Sequence, residues 1–395
     1  MVTKKVVIVA AKRTPIGAFL GQFSDLKAPQ LGAAAIRAVL DDAALQLGDV
    51  DELLMGCVLP AGIGQAPARQ AALAAGLPTS TPCTTLNKVC GSGMKAVMQG
   101  HDAILAGSAS IVIAGGMESM TNAPYLLPKG RQGLRFGHGE LLDHMLYDGL
   151  QDAYEGQPMG IYAERCVERY DFSREQQDSY AAESVNRALA ACNSAAFADE
   201  ITQITVQTRK GEHTFNQDET PFKCDLDKIP KLKPAFKPEG GTVTAANSSS
   251  ISDGAAALLL MHEDEAKARG LQPLAQIVAH ASHAMAPEDF TIAPIQAIQR
   301  LYEKTGWNDG DVDLYEINEA FATVAMAAIH ELKLDPAKVN INGGACALGH
   351  PIGATGARII VTLLHALRNQ GLQRGIASLC IGGGEATGIA IERME

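Results

Sequence analysis

The order of strands and helices in this chain occurs twice, and a duplicated α/β unit leaves few architectures open. Apolar runs at 6–14, 52–60, 83–87 and 111–118 read as strands, with helices at 28–46, 65–76 and 91–106 between them. DGAAALLLM at 253–261 supplies a fifth strand for this first copy. The order then returns, with strands at 273–284, within 312–322 and at 339–343, 376–384 and 387–392. Helices at 295–306, through 326–333 and at 353–369 separate them. The result is a β-α-β-α-β-α-β-β unit used twice, with equivalent strand ends facing each other across a pseudo-twofold axis. Residues 121–248 break the pattern with turn-rich segments (NAPYLLPKG, FKPEGGTV), polar loops and an amphipathic helix near 173–192. They read as an insertion that carries recognition rather than core. The expected division is a first half of 1–120 plus 249–272, an insertion of 121–248 and a second half of 273–395.

Charge and cysteine usage remove several classes of function. The formal net charge is −11 and no run of five Lys/Arg occurs, which argues against a nucleic acid or an anionic membrane as partner. The 8 Cys form no C-x-x-C pair and no regular spacing, so reduced thiols are expected. The N-terminus is too short in apolar residues for a leader, and IERME carries no peroxisomal address. No apolar stretch approaches the roughly 18 residues of a membrane span. A cytoplasmic location is the expectation.

Two helix openings differ from the rest. One begins NKVCGSGMKA, with Cys90 before Gly91; the other begins NGGACALGHPIGATGAR, with His350 before Pro351. Unpaired N–H groups and the dipole at a helix start lower a thiol's pKa, so a reactive Cys90 with a histidine base is expected. SLCIGGGEA puts Cys380 at a strand end, where Gly382 and its neighbours let backbone N–H groups approach an oxyanion. NEAFA places Asn318, a hydrogen-bonding amide, between an apolar strand and an apolar helix. Cys57, Cys166, Cys192, Cys224 and Cys346 read as packing residues, and His101, His138, His144, His262, His330 and His365 as surface or helix-face residues. Gly91-Ser-Gly93-Met-Lys-Ala96 imitates a dinucleotide fingerprint, but 103–117 holds no Asp or Glu to complete it. His280 and His283 form H-x-x-H with no acidic helper near in sequence, and no metal site is expected.

Taken in order, NKVCGSGMKA, NEAFA, NGGACALGHPIGATGAR and SLCIGGGEA resemble the thiolase family over essentially the whole chain. AAKRTPIGAF, MGIYAE and GTVTAANSSSISDGAAA extend the match. The resemblance implies the thiolase fold: two halves forming a five-layered αβαβα core with an inserted loop domain. It implies acyl transfer on coenzyme A thioesters without a metal or organic cofactor, coenzyme A being a substrate. The activity implied is acetyl-CoA C-acetyltransfer, joining two acetyl-CoA into acetoacetyl-CoA plus coenzyme A. Cys90 would be the nucleophile, His350 its base, and Cys380 the acid–base residue at Cα. Asn318 would hold a water that shares one oxyanion hole with His350, and the N–H groups of Cys90 and Gly382 would form the other. Ser249 matches a pantetheine contact, while Met159, Leu150, Phe290 and Phe321 match the acyl pocket. The segment 121–146 resembles a tetramerisation loop, so a homotetramer is expected over a dimer.

Three positions depart from the family pattern. Pro158 stands where acetoacetyl-CoA enzymes usually have His, Pro221 where Arg or Tyr is common, and Glu385 where an apolar residue or Gln is common. The nearest alternative is a 3-oxoacyl-CoA thiolase of broader chain length, in β-oxidation or aromatic degradation. Decarboxylating ketoacyl synthases have a second His where this chain has Cys380, and a non-catalytic lipid carrier would be expected to have lost a site residue.

Overall fold

The computed structural model describes residues 5–208 and 211–394. Residues 1–4 and 395, part of the leader and address arguments, lie outside them. Nine main strands form the sheet: β1 (Val6–Arg13), β2 (Glu52–Gly56), β3 (Cys83–Leu86), β4 (Ile111–Ser119), β5 (Ser252–His262), β6 (Ala275–Ala284), β7 (Leu314–Ile317), β8 (Arg374–Ile381) and β9 (Glu385–Arg393). Their order is β7-β8-β9-β6-β1-β5-β4-β2-β3, with Gly17–Ala18 added beside β5. β2 runs parallel to β3 and β4, and β7 to β8, while the other pairings are antiparallel. The two halves meet edge to edge through a short pairing, Val6–Ile8 against Ala275–Ile277.

Helices of eight residues or more are α1 (Ala28–Asp42), α2 (Pro67–Ala74), α3 (Ser92–Ala106), α4 (Met159–Tyr170), α5 (Arg174–Asn193), α6 (Ala293–Thr305), α7 (Ala322–Leu332) and α8 (Ile352–Gln370). α1 and α2 cover the outer face of the first half, burying Leu31, Ile36 and Ala71 against Val7, Leu53 and Leu259. α6 and α7 cover the second, with Ile298 and Val324 against Ile317 and Ile376. α3 and α8 lie between, where Met94, Val97, Ile359 and Ile360 join Ile8, Leu258, Leu379 and Ile389 in one core. This is the expected five-layered core. α8 is buried from Ile352 to Leu367, which explains why it is apolar around most of its circumference.

Small residues set the spacing of the central layer. A Cβ on Gly93 would stand 2.8 Å from the Ala357 nitrogen and 3.0 Å from the Gly353 oxygen, and one on Gly356 would run into Met94. α3 and α8 therefore touch backbone to backbone near their N-termini.

Two expectations change. Residues 339–343 make only an isolated bridge, Tyr315 to Val339, where a short extended segment was expected. Asn340 turns the chain at φ 49°, and its amide accepts from Ile317 N and donates to Ile317 O, both at 2.8 Å, in place of a neighbouring strand. The insertion is also more than recognition. Tyr162, Ala163, Cys166 and Val167 of α4 are buried in the second-half core, and Ile204 and Val206 in the first-half core. Buried Arg13 of β1 reaches Asp218 with two nitrogens, at 2.7 and 2.9 Å, and Glu200 at 2.5 Å. These charges clamp the insertion to the first strand.

Gly93→Ala tests the close approach. It should destabilise the protein by about 1–3 kcal/mol through forced separation of α3 and α8, read as a lower midpoint in urea.

Candidate active site

The turn from β3 into α3 is locally strained and tightly held. Val89, a β-branched residue, adopts φ 46°, a left-handed conformation rare for its type. Asn87 Oδ1 accepts from Val89 N at 2.8 Å. Ser92 Oγ accepts from Lys88 N at 2.8 Å and donates to Val89 O at 2.7 Å. Cys90 follows and opens partly onto a cavity of about 410 Å³. Its thiol is not acidified as expected. Burial raises its pKa to about 11, and the N–H groups of Gly382 and of Cys90 itself oppose this without overcoming it. The helix start matters less than the loss of water around the sulfur.

His350 enters from the opposite half. Its N–H donates to Ser250 O at 3.0 Å, and its Nδ1 lies 2.6 Å from Thr355 Oγ1. Thr355 donates its single hydroxyl proton to Pro351 O at 3.0 Å, so it accepts from Nδ1–H. Nε2 is then the basic nitrogen, and it has no hydrogen-bond partner in the protein. Burial, with a smaller push from Arg358, lowers the imidazole pKa to about 3. The resting pair is a neutral thiol and a neutral base.

Cavity and wall divide the remaining predicted residues. Leu150, Met159, Ser249, Phe290, Phe321 and Gly382 line the same cavity as Cys90 and His350. A Cβ built on Gly382 would lie 3.6 Å from both Met159 Cε and Val89 Cγ1, so the Met159 tip sits against the Gly382 turn. Asn318 and Cys380 are fully buried and lie outside the cavity lining. Burial drives the Cys380 thiol well above its ordinary value, and the nearby Cys90 sulfur adds to the rise. Both polar atoms of the Asn318 side chain lack a protein partner although buried. Phe236, not singled out from sequence, stacks edge-on to Phe321 at 6.0 Å and lines the cavity.

Two buried carboxylates hold these loops. Glu118 accepts from Val58 N at 2.9 Å, Leu59 N at 3.1 Å and Gly353 N at 2.9 Å, joining the first half to the opening turn of α8. Glu319 accepts from Tyr180, Ser184, Asn340 and Cys346 N, all within 2.8–3.0 Å, and so fixes the loop leading to His350. The departure at Glu385 also finds its partner. Its carboxylate meets Lys88 Nζ at 2.5 Å, tying the Cys90 turn to the Gly382 turn. Of the histidines expected on the surface or on helix faces, His144 is buried, and His365 lies on a buried face of α8.

The family model described as "Thiolase, N-terminal domain" matches residues 6–264, and "Thiolase, C-terminal domain" matches 271–393. The chain belongs to the thiolase family. An acetyl-CoA acetyltransferase of Pseudomonas aeruginosa is 50% identical over 98% of this chain and 99% of its own. One of Rhizobium meliloti is 48% identical over 100% of both. A crystal structure of an Ascaris suum thiolase in complex with coenzyme A shares 42% identity at a TM-score of 0.94, covering 99% of this chain and 100% of that one.

Sequence reading of this thiolase passed over Glu118, Thr355 and Phe236. Glu118 carried a usable signal, a carboxylate closing an otherwise apolar strand, since a buried charge needs several donors. Thr355 and Phe236 carried none, because their roles depend on distance alone.

A protonated resting thiol predicts slow alkylation of Cys90. Its rate with iodoacetamide should rise with pH toward an apparent pKa near 11, without a plateau in the neutral range. The check is a pH–rate profile against Cys90→Ala as background.

Proposed function

We propose that this thiolase is an acetyl-CoA C-acetyltransferase, catalysing reversible condensation of two acetyl-CoA to acetoacetyl-CoA plus coenzyme A. The observation that carries the reading is one cavity wall holding Cys90, the unpartnered Nε2 of His350 and Gly382, with the Met159 tip beside them. Cys90 gives its proton to His350 and attacks the thioester carbonyl. The departing coenzyme A thiolate takes the proton of Cys380, leaving acetyl-Cys90, an imidazolium and a Cys380 thiolate. That thiolate removes a Cα proton from the second acetyl-CoA, and the carbanion attacks acetyl-Cys90. Cys90 leaves as thiolate and recovers its proton from His350, so every proton is returned.

Oxyanions form at both steps. The N–H groups of Cys90 and Gly382 stabilise one, and His350 with an Asn318-bound water the other. A buried amide with no protein partner suits that role. No metal or organic cofactor is required. Ser249 faces the pantetheine arm, and Met159, Leu150, Phe290 and Phe321 confine a short acyl group. Eight free cysteines suit a reducing cytoplasm. Assembly as a homotetramer is supported by the 121–146 segment, whose Leu127, Leu134, Phe136 and Leu141 are exposed together.

Thiolysis of acetoacetyl-CoA, run beside 3-oxohexanoyl-CoA, tests the activity. The four-carbon substrate should turn over faster, and preference for the longer chain would reject the acetyltransferase in favour of a broad thiolase. Cys90→Ala should abolish acyl-enzyme formation. Cys380→Ser should still be acetylated by acetyl-CoA and lose condensation, and normal condensation would remove Cys380 from its role. Sedimentation should give the mass of four chains.

A further inference from the structure

The acidic helper that H-x-x-H lacked arrives from the other half of the molecule. α3 carries His101 and Asp102 to β6, where His280 Nε2 lies 2.8 Å from Asp102 Oδ1 and His101 Nδ1 lies 3.1 Å from the same oxygen. The two imidazoles stand edge to face, with centroids 5.0 Å apart. Their ligand atoms and the carboxylate oxygen all fall within 4.8 Å of one another. His283 is not part of this cluster, being an odd number of residues along the strand and so on its other face. Among the described residues this is the one group of three or more His, Cys, Asp or Glu side chains with such convergence.

We propose that His101, Asp102 and His280 bind a divalent transition metal such as Zn²⁺, Ni²⁺ or Co²⁺, which cross-links the two halves. Bonds of roughly 2.1 Å at tetrahedral or octahedral angles place ligand atoms about 3.0–3.4 Å apart, close to the two separations already present. Two imidazole nitrogens and one carboxylate oxygen form a donor set suited to borderline cations. An oxygen-only cation such as Mg²⁺ suits it poorly.

Lys304, which donates to His280 O at 2.8 Å, and Arg300, which donates to Ser282 O, bring positive charge near the site that weakens rather than blocks a cation. In the free protein both imidazoles point at one carboxylate oxygen, an arrangement a metal replaces by taking the place between them. α3 belongs to the first half and β6 to the second, next to the three-residue pairing of β1 with β6. None of the three ligands lines the catalytic cavity, so the metal serves the junction and not the reaction.

The test uses the full chain stripped with chelator and titrated with Ni²⁺ and Co²⁺. One equivalent should bind at roughly micromolar free metal, with a Co²⁺ spectrum free of thiolate charge-transfer bands. His280→Ala and Asp102→Ala should each weaken binding at least about tenfold, whereas His283→Ala should not. Saturating Ni²⁺ should raise the melting temperature of the parent and leave that of His280→Ala unmoved. Metal-free melting curves establish that each variant is folded. Absence of binding, affinity indifferent to His280→Ala, or thiolate bands that vanish in a cysteine variant would each overturn the site.

Discussion

The backbone contact between α3 and α8 is the constraint on which the rest depends. Each helix begins at a reactive junction, one after Cys90 and the other after His350. Bringing those junctions to a single cavity requires the helices to meet where side chains would hold them apart. Gly93 and Gly356 remove that obstacle, and Gly116 and Gly353 let β4 approach the opening turn of α8. The duplicated fold then acts as a device for setting two helix starts face to face. Neither half holds both Cys90 and His350.

Such closeness raises an electrostatic problem that buried carboxylates resolve. The crowded turns expose backbone N–H groups that no helix or strand satisfies. Glu118 accepts three of them from two different halves, and Glu319 gathers a backbone N–H with three side-chain donors. Burial raises the Glu118 pKa to about 7, and several donors on each carboxyl group offset the cost of burying it. The two carboxyl groups hold the 58–59 segment to the turn at Gly353 and fix the loop that leads to His350.

Much of the fold was legible from periodicity, and the reasons are local. Apolar runs of strand length and the amphipathic spacing near 173–192 act within a few residues of themselves. That Cys90, His350 and Gly382 belong to one site was legible for the same cause, since each sits in a Gly-rich junction whose backbone demands are written in its immediate neighbours. Less legible was the segment 339–343, where apolar alternation suggested extension and the Asn340 amide replaced a strand. The helix at Met159–Tyr170 was missed because its apolar face turns toward a core that belongs to the other half.

By itself the sequence determined which candidate groups the chain carries, in what order they occur, and that two similar units carry them, because residue type and spacing act through the local backbone. Tertiary structure alone decided their states. Cys90 is protonated because distant residues exclude water from its sulfur. Lys88 answers Glu385, and Asp102 joins His101 to His280 across the two halves. Desolvation and charge pairing depend on separation in space. Residues hundreds of positions apart reach those separations only once the chain has folded.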